Sequence, residues 1–189
     1  MTEMTAALSN ELALVAQAKV DAAAFATLYD HYFSRIYNYI RYRIQGADTT
    51  DDLTAQVFER ALANIGRYRP DKAPFSAWLF AIARNAINDH LRAQQRRQWW
   101  SLEAVSDWLS GGPQPDETVA DAELHDQLLT AVAQLSSRER DLIGLKFAGG
   151  LTNRRIAELT GLTENNVGII LYRAVRRLRA ELKVQGVER

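Results

Sequence analysis

The chain has no cysteine, only three histidines and four prolines in its 189 residues. Without cysteine there is no disulfide, no thiolate nucleophile and no sulfur-ligated metal, and a reducing compartment fits that composition. His31, His90 and His125 are scattered along the chain, no Ser, His and acid trio is suggested by spacing, and no glycine-rich phosphate loop occurs. Nothing here supports an enzyme, and no cofactor is called for. No apolar run approaches the roughly 18 residues of a membrane span. The N-terminal stretch MTEMTAALSNELALV lacks the basic start and small-residue cleavage site of a signal peptide. The expectation is a cytoplasmic soluble protein without membrane insertion.

Net charge is also missing, with 23 basic residues against 23 acidic. The balance is a sum over segments of opposite sign. Arg67 to Arg97 holds seven Lys or Arg against two acids, and Ser136 to Lys183 holds ten against five, so each carries +5. Between them, Gln98 to Leu135 has seven acids and no Lys or Arg. Two basic blocks flanking an acidic bridge predict two separate contacts with a polyanion.

What is present is helical periodicity. In Asp21 to Gln45 the residues Phe25, Leu28, Tyr29, Tyr32, Ile36, Ile40 and Ile44 form one stripe, and Gly46 stops it. A second helix follows, with Asp48 or Thr50 as cap, acids at Asp51 and Asp52 in its first turn, and Leu53, Val57, Phe58, Leu62 and Ile65 inward. The loop GRYRPDKAP, Gly66 to Pro74, then leads into PFSAWLFAIARNAINDHLRAQQRR. That segment puts Phe75, Trp78, Leu79, Ile82, Ala83, Ala86, Ile87, His90 and Leu91 on one helix face. Phe80, Arg84, Asn85, Asn88, Asp89 and Arg92 take the opposite face, which runs out into Arg96 and Arg97. Amides and guanidinium groups hydrogen-bond base edges and phosphates, so this face is a candidate nucleic-acid reader. A solvated polar face would show the same pattern.

The stretch WWSLEAVSDWLSGGPQPDET breaks the periodicity with Gly111-Gly112-Pro113 and Pro115. Its tryptophans, Trp99, Trp100 and Trp108, are expected to cover part of a neighbouring core. The organisation expected is a first helical domain over residues 20–98, an acidic linker over 99–121 and a second helical domain over 122–184. In the second, Ser136-Ser137-Arg138-Glu139 reads as a capping box. Thr152 caps a short helix, Gly161 makes a turn, and Thr163 caps a longer helix with Val167, Ile170, Leu171, Ala174, Leu178 and Leu182 inward. Helix, glycine turn and helix is the helix-turn-helix arrangement. The outer face of its second helix carries Glu164, Asn165 and Asn166, then Tyr172, Arg173, Arg176, Arg177 and Arg179. The first group would meet base edges and the second phosphates.

From about Ala24 to Leu182 the chain resembles a bacterial RNA polymerase sigma factor of the extracytoplasmic-function group. FATLYDHYFSRIYNYI and DDLTAQVFERAL resemble the polymerase-binding part of region 2, and PFSAWLFAIARNAINDHLR its promoter-reading part. LSSRERDLIGLKFAGGLTNRRIAELTGLTENNVGIILYRAVRRLR resembles region 4. The resemblance implies an all-α fold of two small domains joined by a flexible linker. It implies core RNA polymerase, through its two largest subunits, and promoter DNA, double- and single-stranded, as partners, with an anti-sigma protein as a further candidate. It assigns polymerase docking to Asp51, Asp52, Leu53, Gln56, Phe58 and Glu59. It assigns opening of the −10 element to Tyr68, Arg69, Lys72, Phe80, Arg84, Asn85, Asn88, Asp89, Arg92 and Arg96, with one base turned out of the stack. Reading of the −35 element falls to Thr163, Glu164, Asn165, Asn166, Ile169, Tyr172, Arg173, Arg176 and Arg177. Two departures stand out: relatives usually carry cations at the positions of Gly168 and Ile170, and Gln-Glu where this chain has Ala55-Gln56. The competing reading is a stand-alone helix-turn-helix regulator whose first half is a helical sensor.

Overall fold

A computed structural model of the chain describes residues 10–44, 46–98 and 127–184, and among them every regular element is helical. Helices α1 (Glu11–Gln17), α2 (Ala22–Arg43), α3 (Ala47–Asn64) and α4 (Phe75–Gln98) form the first group. The second has α5, seen over 127–133, then α6 (Ser137–Ile143), α7 (Asn153–Thr160) and α8 (Glu164–Val184). The linker over 99–121, with its three tryptophans, lies outside the described residues.

Helix α2 begins where Asp21 accepts a hydrogen bond from the Ala23 amide at 2.9 Å. Its stripe of Leu28, Tyr32, Ile36, Tyr39 and Ile40 is at most 2% exposed. Burying each such side chain contributes roughly 2 kcal/mol, so α2 is the spine on which α1, α3, α4 and part of the second group pack. Helix α3 starts differently from the sequence expectation. Its N-cap is Gly46, which offers no side chain, while Thr50 is buried and its hydroxyl donates back to the Gly46 carbonyl at 2.9 Å. Leu62, expected inward, is half exposed, while Ala61 and Ile65 beside it take the buried side of the same turn.

The second group keeps its capping signals. Ser136 Oγ accepts from the Glu139 amide and the Glu139 carboxylate accepts from the Ser136 amide at 2.8 Å, which closes the box that starts α6. The helix then widens into a π-turn over Gly144–Ala148, closed by Gly149 N donating to Gly144 O at 2.9 Å. Thr152 Oγ1 caps α7, Thr163 Oγ1 caps α8, and Gly161 joins them at φ +73°. A left-handed residue costs an L side chain about 1–2 kcal/mol, so glycine is the residue for that turn.

The two groups do not stand apart. One buried core runs through both, from Val15 to Leu178. Helix α2 lies against α6 and the π-turn, and the approach is close enough that a Cβ on Gly144 would sit 2.5 Å from the Tyr39 ring. Phe80 shows why this mattered for sequence reading. It was expected on the polar face of α4, yet it is fully buried with its ring 5.4 Å from that of Tyr39. Helix α4 is therefore buried on two sides, and only one of them has the residues of its apolar stripe. Phe80→Ala should destabilise the protein by about 3–5 kcal/mol in denaturant unfolding, as removal of a packed core ring does. A loss under 1 kcal/mol would return Phe80 to the surface.

Candidate nucleic-acid interface

The candidate recognition surface of the second group is built by α7 and α8. Ile156, Val167, Leu171 and Ala174 are buried between them and fix the outer row of α8. That row, with Glu164, Asn165, Gly168, Ile169, Tyr172, Arg173 and Arg176, lines a shallow open concavity together with Asn153 from the first turn of α7. Asn165, Ile169, Tyr172, Arg173 and Arg176 are exposed there, and Arg176 lies 5.8 Å from the centre of the Tyr172 ring. Glu164 and Asn166 are exposed on the first turn, where Thr163 acts as the cap. Asn153 was not among the sequence candidates. Its place at the start of the first helix of the pair was the available signal, and its Oδ1 is buried without a hydrogen-bond partner.

The two departures from the family pattern acquire a geometry. Gly168 is part of the concavity, and a Cβ there would touch Asn153 Nδ2 at an ordinary 3.7 Å. Ile170 packs against the core, so it is not part of the outer row. Arg177 is exposed but already paired, donating to Glu139 Oε2 at 3.1 Å. Burial raises the Glu139 pKa, but the Ser136 hydrogen bonds and Arg177 outweigh it and hold the carboxyl below its ordinary value.

Helix α4 carries the other candidate surface, and its residues divide. Asn85, Asp89, Arg92 and Arg96 are exposed, as are Arg69 and Lys72 on the preceding loop. Asp89 pairs with Arg92 at 3.4 Å and Arg60 at 3.9 Å, while Arg69 pairs with Asp71. Tyr68 is corrected to a core residue. It is 3% exposed, its hydroxyl donates to the Ala73 carbonyl at 2.9 Å, and its ring packs on Phe75 and Trp78, because the loop must fold back to start α4. Asn88 is half-buried and accepts from Arg43 at 3.3 Å. Arg84 Nε donates to Asp141 at 2.9 Å and Arg84 NH1 to the Leu159 carbonyl at 3.0 Å.

On α3, Asp51, Asp52, Gln56 and Glu59 are exposed along one side, whereas Leu53 and Phe58 are buried and shape the helix from below. Beside them runs an aromatic ridge that sequence reading did not assign to a site. Tyr29, Phe33 and Tyr37 follow each other at four-residue steps on α2, with ring centres 5.3 and 5.8 Å apart. Tyr29 also lies 4.6 Å from Phe58. Burial first, then the Asp51 carboxylate, pushes the Tyr37 phenol up and keeps it protonated. The four-residue spacing was legible in YDHYFSRIY, but it also fits a core stripe.

Residues 28–97 match the Sigma-70 region 2 family, and residues 125–178 match Sigma-70, region 4. The chain is 32% identical to the ECF RNA polymerase sigma factor SigL of Mycobacterium tuberculosis over 91% of its own length and 96% of that protein's. The chain belongs to the extracytoplasmic-function sigma factors of the sigma-70 family. It is also 36% identical to the ECF sigma factor BldN of Streptomyces coelicolor, covering 84% of this chain and 60% of BldN. It thus spans about three fifths of that longer relative. The fold is shared with solved structures. CnrH, in complex with the cytosolic domain of CnrY, superposes with a TM-score of 0.67 at 23% identity, over 93% of this chain and 99% of that one. RpoE of Bartonella quintana, in complex with the anti-sigma factor NepR, gives 0.72 at 21%, over 85% and 97%. Helices α2 to α4 are thus region 2 and helices α5 to α8 region 4, and the family is not enzymatic. No described helix is long and apolar enough to cross a membrane.

The depressed pKa of Glu139 has a measurable consequence. The unfolded chain takes up this proton at higher pH than the folded one. The contribution of Glu139 is therefore complete above the ordinary glutamate range and is lost as pH falls through the lower folded value. In thermal melts across that acid window, Glu139→Gln should keep the capping box but flatten the pH slope. An unchanged slope would show that Glu139 does not gain from its partners.

Proposed function

We propose that this sigma factor binds core RNA polymerase through region 2 and directs it to promoters, with α4 opening the −10 element and α8 reading the −35 element. The observation that carries the reading is the outer row of α8. It offers amides and an apolar side chain at its start and exposed guanidinium groups, Arg173 and Arg176, further along, which is the order that base edges and phosphates require of a helix entering the major groove. Asn85, Arg92, Arg96, Arg69 and Lys72 form the exposed polar surface of the region 2 helix and its loop, the chemistry that grips a single strand. The exposed acids Asp51, Asp52 and Glu59, beside the aromatic ridge of Tyr29, Phe33 and Tyr37, suit a basic polymerase surface with apolar pockets. The division into 20–98, 99–121 and 122–184 follows from the same reading. An anti-sigma protein is a further partner, supported by the complex in which RpoE was solved with the anti-sigma factor NepR.

Three variants test separate parts. Asp52→Arg reverses one exposed charge without touching the core, and should abolish co-purification with core polymerase; unchanged recovery would move the docking face elsewhere. Arg173→Ala should weaken duplex binding on all sequences and lower the salt slope by about one. Asn165→Ala should instead change base preference by about 1–3 kcal/mol at one position. Equal losses on every sequence for both would make Asn165 a spacer.

The regulator reading separates in a gel shift. The sigma reading expects promoter retardation mainly when core polymerase is present, and tight specific retardation by the protein alone would favour the regulator.

A further inference from the structure

Helix α1 lies ahead of residues 28–97, the stretch that matches region 2, and that match gives it no role. Val15 and Ala18 are buried and seat it on α2 and α4. It also meets both ends of the loop over 66–74. At the start of the loop, Lys19, in the turn after α1, donates from Nζ to the Tyr68 carbonyl at 3.4 Å. At its end, Glu11 accepts from the Tyr32 hydroxyl, and the Tyr32 ring lies 5.6 Å from that of Phe75, the first residue of α4. Burial first, then Glu11, pushes the Tyr32 phenol up, so it keeps the proton it donates. Tyr68 joins the two ends, since its hydroxyl donates to the Ala73 carbonyl at 2.9 Å and its ring packs on Phe75 and Trp78. Between these fixed points Arg69 and Lys72 stand exposed on a turn in which the Lys72 amide donates to the Arg69 carbonyl at 3.1 Å.

We propose that α1 and the turn after it are a positioning element for promoter opening, in which Glu11 and Lys19 hold the two ends of the 66–74 loop so that Arg69 and Lys72 meet the single strand in a preset geometry. The proposal rests on the reading above for one point, that this loop faces the opened −10 strand. Neither anchor touches nucleic acid. A loop that is ordered only when DNA arrives loses affinity to the ordering, and a loop fixed beforehand does not. The two anchors differ in strength. Glu11 makes a partly buried, charge-assisted contact, whereas Lys19 is exposed and reaches its carbonyl near the outer limit of a hydrogen bond, so the start of the loop is the softer end.

In the full-length protein, Glu11→Ala combined with Lys19→Met removes both anchors and leaves Val15 and Ala18 in place. Glu11→Gln combined with Lys19→Arg keeps an acceptor and a cation at the same positions. Amide exchange over 66–74 is read in the free protein, and permanganate reactivity of unpaired thymines is read in the holoenzyme on a promoter at which wild type initiates. The first variant should exchange about tenfold faster in the loop and open the promoter about fivefold more slowly, while binding core polymerase within about twofold of wild type. The second should bring both readings back toward wild type. Unchanged loop exchange in the first variant would overturn the anchoring, and faster exchange with wild-type opening would overturn its role in opening. Exchange that speeds up equally in α2, or a matching loss of polymerase binding, would make α1 a general stabiliser and overturn the positioning role. Arg69→Ala combined with Lys72→Ala in the same opening assay separates the proposal from the reading beneath it. Wild-type opening there would count against the −10 reading, while the exchange rates would still decide the anchoring.

Discussion

The carboxylate of Asp141 is the group on which the arrangement of the molecule depends. It is buried with Arg43, Arg84 and Tyr39 as partners, and each partner comes from region 2. Taking a carboxylate and two guanidinium groups out of water costs several kcal/mol per ion, and the cost is offset only when geometry and extra hydrogen bonds are good. Here Tyr39 supplies a hydroxyl proton that it keeps. Burial above all, and then the Asp141 charge, push its phenol well above the ordinary value. A hydrophobic contact between the regions could slide; this one fixes a single register. It also explains why α2 serves as the spine, since Arg35, Tyr39 and Arg43 lie at four-residue steps along the side that meets region 4.

Much of the local structure was legible in the sequence, because helix caps and stripes are short-range signals. The capping box at Ser136, the caps at Thr152 and Thr163 and the left-handed Gly161 all lie where residue type and spacing put them. Helix α1 gave too short a pattern to read, and α3 starts on a glycine rather than on Asp48 or Thr50. The larger misses have one cause. Periodicity assigns a helix one buried face, whereas α4 packs against α1, α2 and α3, with Phe80 on Tyr39 and Asn88 on Arg43 of α2, and only Arg84 of the three reaches region 4. Phe80, Arg84 and Asn88 therefore read as a polar outer face when they are a packed ring, an interdomain ion pair and a half-buried amide. Tyr68 was misread for a nearer reason, the fold of its own loop back onto Phe75.

The outer row of α8 was legible from periodicity, because its residues are exposed among the described ones. Its limits came from finer geometry. Periodicity could not say that Arg177 is held by Glu139 or that Asn153 from α7 borders the same concavity as Gly168, although it did turn Ile170 inward. These details shift weight from the far end of α8 to its first two turns. Arg173 and Arg176 remain as exposed cations on the same concavity as Asn165 and Ile169.

The account's central claim is that this protein confers promoter choice on a polymerase that lacks it. Transcription over a genomic DNA library with purified core polymerase, with transcript starts mapped by sequencing, tests that most directly. The account predicts starts that appear only with both components and share two upstream elements at fixed spacing. Starts that are absent, or equally distributed with and without the protein, would contradict it.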